Sequence, residues 1–389
     1  MYIHIPWCVK KCPYCDFNSH GLGTAAMPES EYVTALLADL DGDLRDFSTA
    51  LDRRAITSVF FGGGTPSLFQ PESIAAILAG ARARLPFATD CEITLETNPG
   101  TVEHGRFDGY LHAGVNRISF GVQSFADDKL ASLGRIHSAS EAEAAVQLAR
   151  TAGYSNINLD LMYALPRQTL AGALSDVEHA IALAPTHISH YQLTLEPGTP
   201  FAKRPPPLPD GDAAWDMQEA CQTRLAAAGY AQYEISAYAQ PGRRCRHNVN
   251  YWAFGDYLGI GAGAHGKLSS IDGSFAVHRR WKLRSPLAYL QQAGTPNRVG
   301  GAATIAAEQL PFEFMLNALR LVEGVPLASF SVRTGLPLAA IARPLADARA
   351  RGWLTTDPER LQTTQLGQRF LNDVIEAFMP APPPRHAHA

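Results

Sequence analysis

Long apolar runs are missing from this 389-residue chain: those present are short and broken by proline, glycine or charge. None approaches the roughly 20 residues a membrane helix needs, so no integral membrane segment is expected. An excess of positive charge is missing too, since 33 lysines and arginines face 37 acids and the formal net charge is −4. A phosphate-tracking surface needs the opposite balance, so no nucleic acid partner is expected. No basic, apolar, cleavable leader follows Met1, and the first strand-like run begins at once; the expectation is a cytoplasmic chain whose thiols stay reduced. The triple glycine Gly62-Gly63-Gly64 lacks the Gly-Lys-Ser/Thr ending of a phosphate loop.

Three of the six cysteines, Cys8, Cys12 and Cys15, fall within eight positions, directly after the apolar run 2–5. Thiolates are soft ligands, and such a set holds zinc or an iron–sulfur cluster. Structural zinc wants four ligands; the count stops at three, with His4 and His20 as the nearby candidates for a fourth. A cubane tied by three thiolates instead leaves one iron free to bind a ligand. A disulfide is the weakest reading, because an odd local set in an acidic, leaderless chain argues against oxidising export. Zinc and cluster both stay open on these residues alone. Of the other cysteines, Cys91 and Cys221 read as core thiols, and Cys245, close to His247, receives no role.

Hydrophobic periodicity places six strand-then-helix units along the first 230 residues. Strands are expected over 2–5, 56–61, 92–96, 117–121, 157–162 and 187–194, and helices over 29–45, 71–85, 102–113, 139–152, 170–184 and 212–228. Alternation of this kind needs a parallel sheet with right-handed crossovers. The expected class is α/β, a partial (β/α)6 TIM-like barrel over 1–230, with an open doubly wound sheet not separable by period. Gly62 to Pro66, Glu96, Gln123 and Asp160 then sit at or just after the carboxyl ends of four successive strands, the rim where barrel chemistry collects. Glycines let backbone approach a ligand, Glu96 and Asp160 can hold a cationic amine or ribose hydroxyls, Gln123 both donates and accepts, and Arg135 can meet a carboxylate bidentately.

The spacing Cys-x3-Cys-x2-Cys resembles the radical S-adenosylmethionine (SAM) superfamily, and residues 2–18 resemble its coproporphyrinogen-dehydrogenase-like branch. The resemblance implies a 4Fe-4S cluster on Cys8, Cys12 and Cys15, whose open iron chelates SAM. It implies SAM contacts at Tyr2, Tyr14, Gly63, Gly64, Thr65, Glu96, Gln123, Arg135 and Asp160. Similar surroundings, such as Leu95-Glu96-Thr97-Asn98-Pro99 and Asp160-Leu161-Met162-Tyr163, carry it over at least the first 200 residues. One departure matters: the oxygen-independent oxidase of the branch has a further cysteine two positions after the third ligand, and Phe17 stands there.

A second constellation lies in the connecting region 231–300. Gly261, Gly263 and Gly266 fit the dinucleotide fingerprint formally, but no helix clearly follows and no acid lies about 20 residues on. His247-Asn248-x-x-Tyr251-Trp252 resembles the motif that sets apart the haem-chaperone members of the branch. That resemblance implies haem as cargo, with His247, Asn248, Tyr251 and Trp252 at its site and haem-accepting proteins, respiratory enzymes among them, as partners. Chemically, imidazole ligates haem iron and the aromatic rings offer flat apolar area; His265 and His4 are rival ligands. Contact with the inner membrane would be peripheral and through partners, and monomer and homodimer both stay open. The alternative is a catalytic radical SAM decarboxylase of porphyrin metabolism, and a weaker third option is a radical SAM enzyme with another substrate.

Residues 301–379 read as a winged-helix-like cap: helices over 310–321, 326–334 and 338–351, a hairpin over 353–364 and a last helix over 366–378. Seven arginines, no lysine and eight acids between Ile305 and Met379 argue against DNA and for a cap or docking module. Residues 380–389 are expected to form a disordered tail.

Overall fold

The structure, a computed structural model, describes residues 1–23, 26–52, 54–100, 106–272 and 274–380. The expected tail therefore lies, from residue 381, outside the described residues. Contacts divide the chain into two units, one of Met1–His247, Tyr257–Gly266 and Arg280–Gly301, the other of Asn248–Asp256, Lys267–Arg279 and Ala302–Ala389.

In the first unit the six expected strands lie side by side in chain order. They are β1 (Tyr2–Ile5), β2 (Ile56–Gly63), β3 (Phe87–Thr97), β4 (Arg117–Gln123), β5 (Ile157–Tyr163) and β6 (His187–Gln192), each parallel to the next. Their cores are apolar and mostly β-branched or aromatic: Ile3, Ile5, Val59, Phe61, Leu95, Ile118, Phe120, Leu159 and Ile188 are buried. Three short strands that periodicity does not show extend the sheet. The antiparallel pair β7 (Ala231–Glu234) and β8 (Ala237–Ala239) follows β6, and β9 (Gly259–Ile260) runs parallel to β1 at the other edge. The order β9-β1-β2-β3-β4-β5-β6-β8-β7 leaves two edges, so the barrel is incomplete. It is nonetheless curled. Gly63 of β2 and Tyr191 of β6 line one cavity, whereas four strand spacings in a flat sheet would separate them by about 19 Å.

Helices cross between the strands: α1 (Glu29–Asp46), α2 (Pro71–Arg82), α3 (Phe107–His112), α4 (Asp127–Ser132), α5 (Ala139–Thr151), α6 (Leu170–Ala182) and α7 (Gly211–Ala227). The helix expected over 102–113 is described only from Phe107, as 101–105 lie outside the described residues. Cap chemistry sets several starts, most fully at α5, where Ser138 and Glu141 form a capping box. Helix α1 buries acids as well as Tyr32, Leu36 and Leu40. Asp39 and Asp43 accept from Lys282 and Arg298, with Lys282 Nζ 2.7 Å from both Asp43 oxygens and Arg298 Nε 3.1 Å from Asp39. All four are buried, which ties the Arg280–Gly301 segment to the first unit.

The second unit packs Phe254, Phe314 and Phe330 edge to face, with centroids 5.7 and 5.5 Å apart. Its helices Leu310–Ala318, Ala328–Thr334 and Ala342–Ala350 precede a hairpin bridged at Leu354 and Thr363, then helices Gln365–Arg369 and Leu371–Glu376. The order of helices and hairpin follows the sequence, except that the single last helix expected over 366–378 is two, broken at Phe370. The seven-residue helix α8 (Arg246–Trp252) carries the HNxxYW motif. His247 belongs to the first unit and Asn248, Tyr251 and Trp252 to the second.

Candidate functional site

Residues 8–20 form a closed loop. Trp7–Cys8 pairs in parallel with His20–Gly21, Lys11 Nζ donates to the carbonyls of Phe17 and Ser19 at 2.9 and 3.2 Å, and Cys15 N donates to Cys12 O at 3.2 Å. A loop closed this way turns its thiols inward. Cys8, Cys12 and Cys15 are all free and all line one cavity of about 740 Å³, its mouth included. Burial pushes the thiols of Cys8 and Cys15 up, offset in part by the hydroxyls of Thr65 and Ser19 at Cys8 and by Ser19 at Cys15. Arg135 Nη1 lies 3.8 Å from Cys12 Sγ.

The same cavity is lined by Tyr14, Gly63, Gly64, Thr65, Glu96, Gln123, Arg135 and Asp160, so eight of the nine expected SAM-contact residues converge on it with the thiols. Tyr2 does not. Its ring stacks on Phe60 at 5.7 Å and its hydroxyl bonds His4 Nδ1 at 2.6 Å, on the same face of the sheet as Glu96. His4 is held in the same packing. Both its nitrogens are engaged, Nε2 with Asn18 O at 2.9 Å, and burial lowers its pKa to about 4. Asp160 also departs from expectation, since it is the fourth of seven residues in β5 and not at the strand's end.

Gly63 and Gly64 are required by packing as much as by any ligand. Gly63 has φ +115°, and a Cβ there would fall 2.5 Å from the His4 ring. At Gly64 it would meet the Trp7 carbonyl oxygen at 2.4 Å. Gln123 closes β4 at φ 72°, next to a register irregularity against β5. Strained positions of this kind collect at binding sites. Here the Tyr191 hydroxyl fixes the side chain by donating to Gln123 Oε1 at 2.8 Å.

Charge distinguishes the cavity most clearly. Burial, reinforced by Asp160, raises the Glu96 carboxyl to about 8, although Gly63 N–H donates to it at 3.3 Å. Burial raises Asp160 as well, against donors on Asn158 at 2.8 Å and Ser119 at 3.1 Å. Two half-buried acids with no salt bridge among the described residues favour a cationic ligand, whose charge would ionise them. Opposite them Arg135 donates to Asn98 Oδ1 and Gly121 O, both at 2.6 Å, and Asn98 in turn donates to Thr65 Oγ1 at 2.8 Å. Asn98, Ser119, Asn158 and Tyr191 are the supports that sequence reasoning missed. Their only signal was the period-two spacing that puts 158 beside 160 on one strand face.

The residues present fit a cubane with three thiolate ligands and one exposed corner: three free thiols from one loop, hydroxyl and guanidinium donors around them, and a cavity with room for a ligand. Gly63, Gly64, Thr65, Glu96, Gln123, Arg135 and Asp160 are placed to hold a zwitterionic, sulfonium-bearing ligand.

The second constellation is arranged differently. His247 stacks on Phe60 at 4.1 Å and 14°, beside Cys245 and Glu92. Tyr251 is 41% exposed, and the Arg320 guanidinium covers Trp252 at 4.1 Å. His265 stacks on Trp281. Cys91 and Cys221 are buried, as core thiols should be, and Cys245 is buried too.

An incomplete parallel barrel whose cysteine loop, glycine turn and paired acids share one cavity defines the radical SAM class. Residues 2–180 match the Radical SAM superfamily and residues 305–370 the HemN C-terminal domain. The chain is 49% identical over 379 residues to a protein of Haemophilus influenzae, and 50% identical to one of Escherichia coli, both named heme chaperone HemW; each alignment covers 97% of both chains. The chain belongs to the radical SAM superfamily and, within it, to the family of these HemW relatives. Among solved structures, coproporphyrinogen III oxidase (HemN) from Escherichia coli has the same fold, with a TM-score of 0.80 over 97% of this chain and 89% of that one, at 21% identity.

Proposed function

We propose that the chain is a haem chaperone that carries a 4Fe-4S cluster and SAM and passes haem to haem-accepting proteins, respiratory enzymes among them. The observation that carries this reading is near-half identity along 97% of both chains to proteins named heme chaperones. Phe17, where the decarboxylating branch has a cysteine, supports it. The cluster, when bound to Cys8, Cys12 and Cys15, supplies an iron corner for SAM. Glu96 and Asp160 balance the cationic charge of that ligand, Arg135 and Asn98 orient its carboxylate side, and Tyr191 holds Gln123 in place.

Haem is assigned to the His247-Asn248-x-x-Tyr251-Trp252 segment, with His247 as the iron ligand. Among the described residues no helix is long and apolar enough to cross a membrane, so contact with a membrane-bound recipient is peripheral in this proposal. Two assays on anaerobic, cluster-loaded protein test it. It should take up haem with a Soret band that shifts in His247→Ala, and should restore a haem-depleted recipient. Decarboxylation of coproporphyrinogen with SAM and a reductant would overturn the chaperone reading in favour of catalysis. Light scattering on the same sample reads monomer or homodimer.

A further inference from the structure

At the end of the barrel interior away from the cysteine loop, three potential metal ligands from remote parts of the chain meet. Glu92 lies on β3, and Cys245 and His247 arrive 153 and 155 residues later. Glu92 Oε1 is 3.6 Å from His247 Nδ1 and 3.7 Å from Cys245 Sγ; Sγ, 3.1 Å from Nδ1 and 3.3 Å from Nε2, lies over the imidazole, so the ring must turn to aim a nitrogen lone pair at a shared ion. Pairs of ligands bound tetrahedrally to one zinc ion, at usual Zn–S, Zn–N and Zn–O lengths, stand about 3.3 to 3.6 Å apart. We propose that Glu92, Cys245 and His247 form a three-ligand site for a borderline-soft divalent cation, zinc being the best match.

Donor type, burial and charge support the assignment. One thiolate, one imidazole and one carboxylate make a set that prefers zinc to magnesium or calcium. The cluster is not a solvated surface group, since Cys245 is 1% and Glu92 7% exposed. Phe60 covers the imidazole face, and the Cys245 amide donates to the Tyr233 hydroxyl at 3.4 Å. A thiolate and a carboxylate bring two negative charges. Arg117, buried and interacting with both Cys245 and Glu92, balances one of them. The Arg246 guanidinium turns away to Asp90 at 2.7 Å, while its backbone N–H donates to Glu92 Oε1 at 2.9 Å and orients that carboxylate. Three protein ligands leave the fourth position to water, as in open zinc sites.

The site stands independently of the haem reading, but it uses the same imidazole. An ion held here and haem ligated through His247 exclude one another, so zinc should lower haem uptake and haem should release zinc.

The test is zinc retention by anaerobic, cluster-loaded full chain after desalting, with iron measured on the same sample so that empty cluster cysteines are not counted. One zinc per chain is expected beside the cluster iron, and cobalt in its place should show thiolate-to-metal absorption. Cys245→Ser and the near-isosteric Glu92→Gln should each weaken retention at least tenfold, while Cys221→Ser should leave it unchanged. No zinc above background in the cluster-loaded wild type, or equal retention in Cys245→Ser, overturns the site; the wild-type result decides even if a variant does not fold. Haem uptake that stays absent after a chelator has stripped the zinc sinks only the chaperone reading, and zinc absent from the haem-free, cluster-loaded chain sinks only the ion site.

Discussion

The Cys8–Cys15 run, with three thiols, and the Cys245–Trp252 segment, with one thiol and two aromatic rings, each span eight positions, yet they end in opposite arrangements. In the loop the backbone doubles back on Trp7–Cys8 and His20–Gly21, so three thiols face one cavity. The segment is mostly helix, and its functional groups spread: His247 against Phe60, Tyr251 exposed, Trp252 under Arg320. Closeness in sequence becomes closeness of side chains only where the chain turns back on itself. A motif on a helix must recruit its partners from elsewhere, as His247 does from Glu92.

Breaking the convergent side of this contrast should have the largest effect. Cys12→Ala removes one of three cluster ligands, and iron content should fall from about four per chain towards background; iron and sulfide analysis reads it. Next is the buried charge cluster that ties Arg280–Gly301 to α1. Asp39→Ala combined with Asp43→Ala removes both acids that hold Lys282 and should cost about 3–5 kcal/mol in denaturant unfolding of the first unit, with the cysteine loop otherwise intact. If the loss is instead within the range of a surface pair, that cluster does not hold the segment.

The paired acids sharpen the comparison by a ligand readout. Glu96→Gln should weaken SAM binding about ten- to a hundredfold, the range for losing a charged hydrogen-bond partner. Because the free Glu96 carboxyl sits at about 8 and a cation favours its ionised form, SAM affinity should rise with pH below that value and level off above it, up to about tenfold per unit. Calorimetric titration between pH 6.5 and 9 checks the slope, and a flat profile contradicts the assignment. The smallest effect is expected at Tyr191→Phe, which frees Gln123 and should weaken SAM by about 0.5–1.5 kcal/mol.

How far the sequence foretold this follows the same contrast. Strand β1 matches its expected bounds, and β2, β4 and β5 end one or two residues beyond theirs, because buried parallel strands write continuous apolar runs. The pair β7 and β8 and strand β9, two to four residues each, are too short to show a period. At the site, glycine turns and lone acids at strand ends are local signals, so Gly63, Glu96 and Gln123 were legible. The Asp39–Lys282 and Glu92–Cys245 contacts join residues over 150 positions apart, and no local pattern encodes them. Tyr2 shares the sheet face of Glu96 and Asp160 through the register Tyr2, Phe60, Thr94, but its hydroxyl is engaged by His4 at 2.6 Å, a contact that no local pattern encodes.

The central claim is that the three thiols hold a cluster whose free corner shares a cavity with Glu96 and Asp160. Electron paramagnetic resonance of the reduced, cluster-loaded chain, with and without SAM, tests it most directly. A changed spectrum at saturating SAM, with the change requiring more ligand in Glu96→Gln, is the predicted result. Superimposable spectra from protein shown to bind SAM would contradict it.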